Sequence, residues 1–471
     1  MQIVTGRKDV IWNYVGTIVS MAGNFLLLPF LVTGLSGADL GIWYIFTALG
    51  AFVMLFEFGF NPTFARNITY CWSGARELHK EGAGERIGDN KGISTRLLAQ
   101  LIAVSKMVYA RITVIVAVIM LFPGTLYIWH VCRKQWDYRI IIAWLLYVAA
   151  TLVNMYYLYY AAMLRGIGCV ADDNKNKILA RLSQLVISAV LLLTGFGLVG
   201  AALGYVTYAI FYRVYGYILF WHNPQIRGMS LKEISVTSRE KKQIYTIISY
   251  NAYKDGAVMI SNYGATQAGT VLCSLFLTLE QTGTYSIGLQ LATALGNIAL
   301  AYLNSCRPAI QSAYQLRERK AITQIAGKSL IAYVFMFIVG FCAIEAFVYP
   351  LLHLIKPDAS FDPSLFCGLA IYMFVFNWIA FFSSLLANFN TIPYVNAYII
   401  TTLIELSLSI LFTGPMHWGA WGLVCGMAFP QLFYNVWKWP SEAACRMSTT
   451  VNDLLREGMY AWRQTLKVSN N

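Results

Sequence analysis

Apolar residues along the chain gather into blocks of about 20 to 25, separated by short polar stretches. A helix rises about 1.5 Å per residue, so a block of that length covers the roughly 30 Å of hydrocarbon in a bilayer. Backbone amides find no water there, which leaves helices or a closed barrel, and the blocks lack the strict alternation of barrel strands. The pattern predicts twelve spanning helices, at 10–33, 39–61, 108–131, 140–164, 182–198, 200–221, 244–276, 284–306, 329–355, 363–388, 394–413 and 418–438. The seventh is too long for one straight crossing, so part of it is expected to tilt, kink or protrude.

Two further stretches have helical amphipathicity. In 451–467, Val451, Leu454, Leu455, Met459, Trp462 and Leu466 recur at helical spacing, with Arg456, Arg463 and Lys467 elsewhere on the wheel. Before the third span, Leu97, Leu98, Leu101 and Ile102 sit beside Arg96 and Lys106. Both are expected to lie on the inner leaflet.

Composition agrees with a membrane class: 58% of residues are hydrophobic, 12% are charged and the mean hydropathy is +0.56. The net charge of +13 does not signal nucleic acid, because the basic residues do not cluster on a soluble face. With the N-terminus inside, Arg7, Lys8, Arg76, Lys80, Lys175, Lys177, Arg181, Arg239 and Lys241 fall in inner connections, whereas few fall outside. This asymmetry predicts a multi-pass membrane protein with both termini in the cytoplasm, and the resemblance given below implies the bacterial inner membrane. Arg133, Lys134 and Arg139 break the pattern and leave the topology around 108–164 open. Arg7 and Lys8 precede an apolar run with no small-residue cleavage site, which predicts a retained first helix. Nine cysteines are scattered without a CxxC and read as packing residues.

The chain also repeats itself. Thr47-Ala48-Leu49-Gly50 recurs as Thr293-Ala294-Leu295-Gly296, and at the same offset Gly37 matches Gly283 and Pro62 matches Pro308. Six spans separate the copies, so the halves are expected to be parallel repeats with a site between them. The expected plan is an N-terminal lobe (1–222), a cytoplasmic connection (223–243), a C-terminal lobe (244–440) and an amphipathic cytoplasmic tail (441–471).

Polar residues inside apolar blocks mark candidate chemistry. The first span places Asn13, Thr17, Ser20 and Asn24 on one helical face, and the seventh does the same with Asn251, Asp255, Asn262 and Thr266 beside Lys254. Such stripes either line a cavity, where amides and hydroxyls bind sugar hydroxyls, or join helices. Lys254, Arg66, Arg165, Arg213 and Arg307 are candidates for an anionic group such as pyrophosphate; an acid partner for Lys254, and snorkelling of Arg66, Arg165 and Arg307 to headgroups, are the structural alternatives. Glu57, Asp255, Glu345 and Glu405 are candidates for ion coupling. GxxxxGK[ST], HExxH and GxSxG are absent, so no enzyme, cofactor or metal is expected, and transport would draw on a gradient.

The runs LLLPFLVTGLSGADLGIWYIF (Leu26 to Phe46) and FEFGFNPTFARN (Phe56 to Asn67) resemble the first two helices of polysaccharide flippases in the multidrug, oligosaccharidyl-lipid and polysaccharide exporter superfamily. Pro29, Gly41, Trp43, Tyr44, Glu57, Gly59 and Arg66 occupy the positions of that motif, with Glu57 where Asp is more usual. The resemblance implies a two-lobed transporter that moves undecaprenyl-pyrophosphate-linked oligosaccharide to the outer leaflet by alternating access. Its partners would be that lipid-linked oligosaccharide, membrane lipids and a polysaccharide polymerase with its chain-length machinery. A multidrug exporter of the same superfamily would favour an acid-lined pocket, and a membrane-embedded glycosyl- or acyltransferase would need a His or Asp cluster at one surface.

Overall fold

The computed structural model describes residues 3, 5–82, 92–132, 137–231, 233–277, 279–348, 350 and 362–469. The fold is that of an all-α integral membrane protein, and each of the twelve predicted spans overlaps a helix. Eight helices among the described residues are long and apolar enough to cross a bilayer, or nine when one bent pair is counted as a span. The outward faces are apolar: only 17% of the apolar window within Arg319–Val348 is buried, which identifies the surrounding solvent as hydrocarbon. The chain divides into two compact units, Met1–Lys80 with Gly84–Tyr253, and Glu81–Ala83 with Lys254–Asn471.

The N-terminal unit contains α1 (Arg7–Gly34), α2 (Gly37–Met54), α3 (Phe60–Trp72), α4 (Thr95–Ile119), α5 (Thr125–Val131), α6 (Tyr138–Tyr156), α7 (Tyr159–Gly166), α8 (Val170–Leu193), α9 (Gly197–Trp221) and α10 (Pro224–Arg227). α8 packs between α1 and α9, α6 packs on α9 and α4, and α3 packs on α7. The predicted second span is broken: Phe58 and Gly59 both adopt positive φ, and α3 leaves at 44°. Glu57 stabilises the break, accepting from the Asn61 amide in the first turn of α3 and from the Tyr109 hydroxyl at 2.8 Å.

Two predicted boundaries need correction. The third span begins at Thr95, and Leu97, Leu98 and Leu101 are buried in the core, so this stretch is the start of α4 and not a separate surface helix. The fifth span begins at Val170, not near 182, because Asp173, Asn174 and Asn176 are buried against polar partners inside the unit. Arg133 and Lys134 lie outside the described residues.

α11 (Ser238–Phe276) starts in the N-terminal unit and continues into the C-terminal one. The latter adds α12 (Leu279–Gln315), α13 (Arg319–Ala343), α14 (Pro363–Asn388), α15 (Val395–Thr413), α16 (Gly419–Pro430), α17 (Val436–Arg446) and α18 (Val451–Ser469). α12 packs on α13 and α14, α15 on α16, and α14 on α17. The amphipathic tail, expected on the leaflet, packs with one face on protein. In α18, Leu454 and Ala461 are buried and Trp462 donates to the Lys328 carbonyl at 3.0 Å. Gly327 and Gly458 permit this: a Cβ on Gly327 would stand 2.3 Å from the Leu454 carbonyl oxygen.

The repeat has a packing counterpart in each unit. A Cβ on Gly50 would meet the Tyr147 hydroxyl of α6, and one on Gly296 would meet the Asn377 amide of α14. In both units the glycine of the repeated tetrapeptide lets a polar side chain from the helix two spans later approach the backbone.

Candidate functional site

The N-terminal unit has a polar interior built from three helical stripes. α8 contributes Asp173, Lys177, Arg181, Gln184 and Ser188, at spacings that place them on one face. α9 contributes Tyr205, Tyr208 and Tyr212 with Arg213, and α6 contributes Tyr147, Thr151 and Asn154. Arg165, near the end of α7, reaches the same cluster: its Nε donates to Asp173 Oδ2 at 2.7 Å, and the Tyr212 hydroxyl donates to Asp173 Oδ1 at 3.2 Å. Arg213 is 5% exposed, donates from Nε to Asn154 Oδ1 at 3.0 Å and lies 4.4 Å over the Tyr212 ring. Arg181 donates to Gln184 Oε1 at 2.6 Å and lies 5.6 Å over Tyr208. Lys177 is within electrostatic reach of Arg165, Asp173, Arg181 and Arg213.

Lys177 thus lies within electrostatic reach of three further cations, Arg165, Arg181 and Arg213, and of the Asp173 carboxylate. Arg165, Lys177, Arg181 and Arg213 all belong to helices apolar enough to span. A cation within a bilayer costs at least about 2.5 to 3.5 kcal/mol unless paired or solvated, so cations gathered in such helices call for partners, water or a ligand. Ring faces from Tyr147, Tyr205 and Tyr208 continue away from it, with Tyr147 and Tyr205 stacked at 4.7 Å.

Of the five cations expected to contact pyrophosphate, Arg165 and Arg213 meet here. Arg66 is buried on α3, with Nη2 3.5 Å from Thr63 Oγ1. Arg307 lies half-buried on α12 in the C-terminal unit. Lys254 forms an ion pair with Glu81 at 2.9 Å, the partnered alternative. Asp255, beside it, is half-buried. Lys177, Arg181 and Asp173 were not singled out from the sequence, although their four-residue spacing was there to be read.

The Asn stripes divide differently. Asn13 accepts from Asn174 Nδ2 at 3.1 Å, joining α1 to α8, and Thr17 Oγ1 donates to the Asn13 carbonyl at 2.8 Å. Asn251 donates to the Lys80 carbonyl, and Thr266 to the Asn262 carbonyl at 2.8 Å. The side chains of Ser20 and Asn24 lie outside the described residues. Asn67, in the Asn-Ile-Thr triplet, is 2% exposed, which closes it to glycosylation.

The C-terminal unit has a second polar network around a π turn, Gln431–Asn435, that follows Pro430. Gln431 Nε2 donates to Glu405 Oε1 at 2.7 Å, and Asn435 Nδ2 lies 2.9 Å from Gln431 Oε1 and 3.0 Å from Thr401 Oγ1. Trp439 Nε1 donates to Asn435 Oδ1 at 2.8 Å. Glu405 is 1% exposed, and its Oε2 has no hydrogen-bond partner in the structure. Gln431, which donates to it, is a neutral amide, a setting that asks for a proton or a small cation. Glu345 lies half-buried in another π turn, Ile344–Val348. Among the described residues no group of His, Cys, Asp and Glu could hold a metal.

No family model and no curated protein matches the chain. Solved structures do. A MATE protein in the bent conformation superposes with a TM-score of 0.71 at 13% identity, over 97% of this chain and 98% of that one. An outward-facing multidrug resistance MATE family transporter of the MOP superfamily gives 0.66 at 15% identity, over 94% and 95%. A MOP superfamily transporter from Pyrococcus furiosus, described as having a binding pocket of reverse polarity that suggests a different function, gives 0.63 at 14% identity, over 94% and 95%. The fold is thus the one these transporters share.

Proposed function

We propose that this chain is a membrane transporter and not an enzyme, and that it carries an amphipathic anion, an undecaprenyl-pyrophosphate-linked oligosaccharide moved to the outer leaflet of a bacterial inner membrane for surface polysaccharide synthesis. The observation that carries this reading is the gathering of Arg165, Lys177, Arg181 and Arg213 with Asp173 in helices apolar enough to span. A diphosphate is attracted to such a cluster of cations, Arg offers it bidentate donors, and Asn and Tyr side chains suit sugar hydroxyls and ring faces. Glu405, buried against an amide, is the group best placed to take the coupling ion.

A second reading is export of cationic drugs, and the solved neighbours favour it, since they are MATE proteins, one of them a multidrug resistance transporter. The clustering of Arg165, Lys177, Arg181 and Arg213 in the N-terminal unit weighs against it, because a cationic drug would meet like charge there.

Thermal unfolding of the detergent-purified protein separates the two. A ligand at a hundred times its Kd stabilises the folded state by about 2.7 kcal/mol. Polyprenyl diphosphate should raise the Tm of the wild type and not of Arg213→Gln, whereas a cationic dye such as ethidium should leave both unchanged. Stabilisation by ethidium alone would establish the drug reading in its place.

A further inference from the structure

An arginine held through Nε alone keeps both terminal amino groups for another partner. Two arginines of the N-terminal unit are held that way. Arg213 gives Nε to Asn154 Oδ1 at 3.0 Å, and Arg165 gives Nε to Asp173 Oδ2 at 2.7 Å. Among the described residues, neither makes a hydrogen bond from a terminal nitrogen. Arg213 is fixed in two directions: Asn154, itself buried, sets the edge of the guanidinium, and the Tyr212 ring lies against its face at 4.4 Å. Tyr212 is fastened in turn, through its hydroxyl, to Asp173 at 3.2 Å. Lys177, one helical turn beyond Asp173 on α8, makes no hydrogen bond or ion pair among the described residues and is within electrostatic reach of both arginines. Buried donors are nearly always matched by acceptors, and Arg213 is buried, so its terminal nitrogens call for an acceptor that the described residues do not supply. An arginine that snorkels to headgroups has no such fixed orientation, whereas a donor held in place before its ligand arrives loses less entropy on binding.

We infer that Asn154 and Tyr212 are positioning residues of an oxyanion clamp: they hold the Arg213 guanidinium so that its paired terminal nitrogens, with Arg165 and Lys177, grip a phosphate of a lipid-linked headgroup. The inference rests on the anion reading above and deepens it, because it assigns recognition to a fork of fixed orientation and not to charge alone. A phosphate meets such a fork with two parallel N–H···O bonds, a match that a lysine or a freely rotating arginine does not present in advance.

The test uses the full chain in an uncharged detergent, with geranylgeranyl diphosphate as the probe and calorimetric titration as the readout. Asn154→Ala and Arg213→Lys change no formal charge, yet both should weaken binding. The first should cost about three- to tenfold, the entropy of ordering one long side chain on binding, and the second about tenfold. Tyr212→Leu should weaken binding likewise, and Tyr212→Phe, which keeps the ring face, should restore most of the loss; this pair and Arg213→Lys decide if Asn154→Ala does not fold. With 15N-labelled arginine, the terminal N–H signals of Arg213 should sharpen when the probe binds the wild type and stay broad in Asn154→Ala, a signature that a merely structural role would not move. Charge-conserving variants that bind as the wild type does, while Arg213→Gln binds more weakly, would overturn the clamp and leave the anion reading standing. A probe that fails to bind, or that binds Arg213→Gln as tightly as the wild type, would end both. Inorganic diphosphate separates the sources of the phosphate: it should bind more weakly than the lipid form, and equal affinity would overturn the assignment to a headgroup.

Discussion

Replacing Asp173 by Asn should make the protein less stable and a better anion binder, two effects that a purely structural cluster would not give together. Asp173 has a side chain 1% exposed, and Arg165, its ion-pair partner at 2.7 Å, one 43% exposed. The substitution keeps an acceptor for Arg165 or the Tyr212 hydroxyl and removes the charge. A charge-assisted hydrogen bond contributes about 1.5–3 kcal/mol, and the solvent open to Arg165 cuts this, so the expected loss is about 1–2 kcal/mol. For a unit of this size that is a fall in Tm of about 2–8 °C. Meanwhile the cluster around Lys177 becomes one unit more positive. A unit charge about 8 Å from a bound anion is worth roughly 2 kcal/mol at an effective dielectric of 20. Allowing for screening by water in the site, diphosphate affinity should tighten by about five- to tenfold. Tryptophan-fluorescence melts of the purified protein across a titration of polyprenyl diphosphate give both numbers from one experiment. A lower Tm with unchanged or weaker anion affinity would refute the idea that this cluster is an anion site.

Gly327→Ala places a Cβ 2.3 Å from the Leu454 carbonyl oxygen and 2.8 Å from the Gly458 nitrogen, so α18 must shift at a cost of about 1–3 kcal/mol. A cysteine at Ala461, buried in the wild type, should then react faster with a maleimide, and an unchanged rate would show that α18 does not depend on this contact. Glu240 caps the start of α11, where the Thr237 amide, Arg96, the Thr237 hydroxyl and Gln100 hold its carboxyl down to about 2. Because the folded value is depressed, the contribution is complete above the usual carboxylate range near 4.3 and disappears as pH falls through about 2. Hydrogen exchange at the Thr237 amide, corrected for its intrinsic rate, should lose protection over that window, and protection that survives to pH 1.5 would count against the cap. Glu405→Gln should abolish the response of transport to a pH gradient in proteoliposomes while ligand-induced stabilisation persists; transport that still follows the gradient would remove Glu405 from coupling.

The bilayer made most of the architecture readable, because spanning segments must be apolar and about twenty residues long, and the twelve predicted spans all meet helices. Boundaries failed where polarity is buried and not exposed. Asp173, Asn174 and Asn176 look like a loop in the chain, yet Asn174 bonds Asn13, Asn176 bonds the Tyr212 carbonyl, and α8 begins twelve residues before the expected start. The motif around Glu57 pointed to the superfamily whose fold the solved neighbours share, while the role of Glu57 as the brace of a broken helix depends on Phe58 and Gly59 turning left-handed. No single-helix pattern could assemble the cation cluster, since Arg165, Asp173 and Arg213 come from three helices and meet only on packing.

The two units differ in what their polar interiors ask for. In the N-terminal unit Arg165, Lys177, Arg181 and Arg213 gather with Asp173, and tyrosines and amides stand beside them. In the C-terminal unit the buried carboxyl of Glu405 is hydrogen-bonded to a neutral amide. A buried charge is retained in a membrane only when something offsets it, whether a partner, a proton or a ligand. On the function proposed above, the first interior would take an anion and the second a proton or cation, the pairing expected of a carrier coupled to an ion gradient. A drug exporter would need the first requirement reversed in sign, and so the charge on the ligand that stabilises the N-terminal unit decides between the two functions.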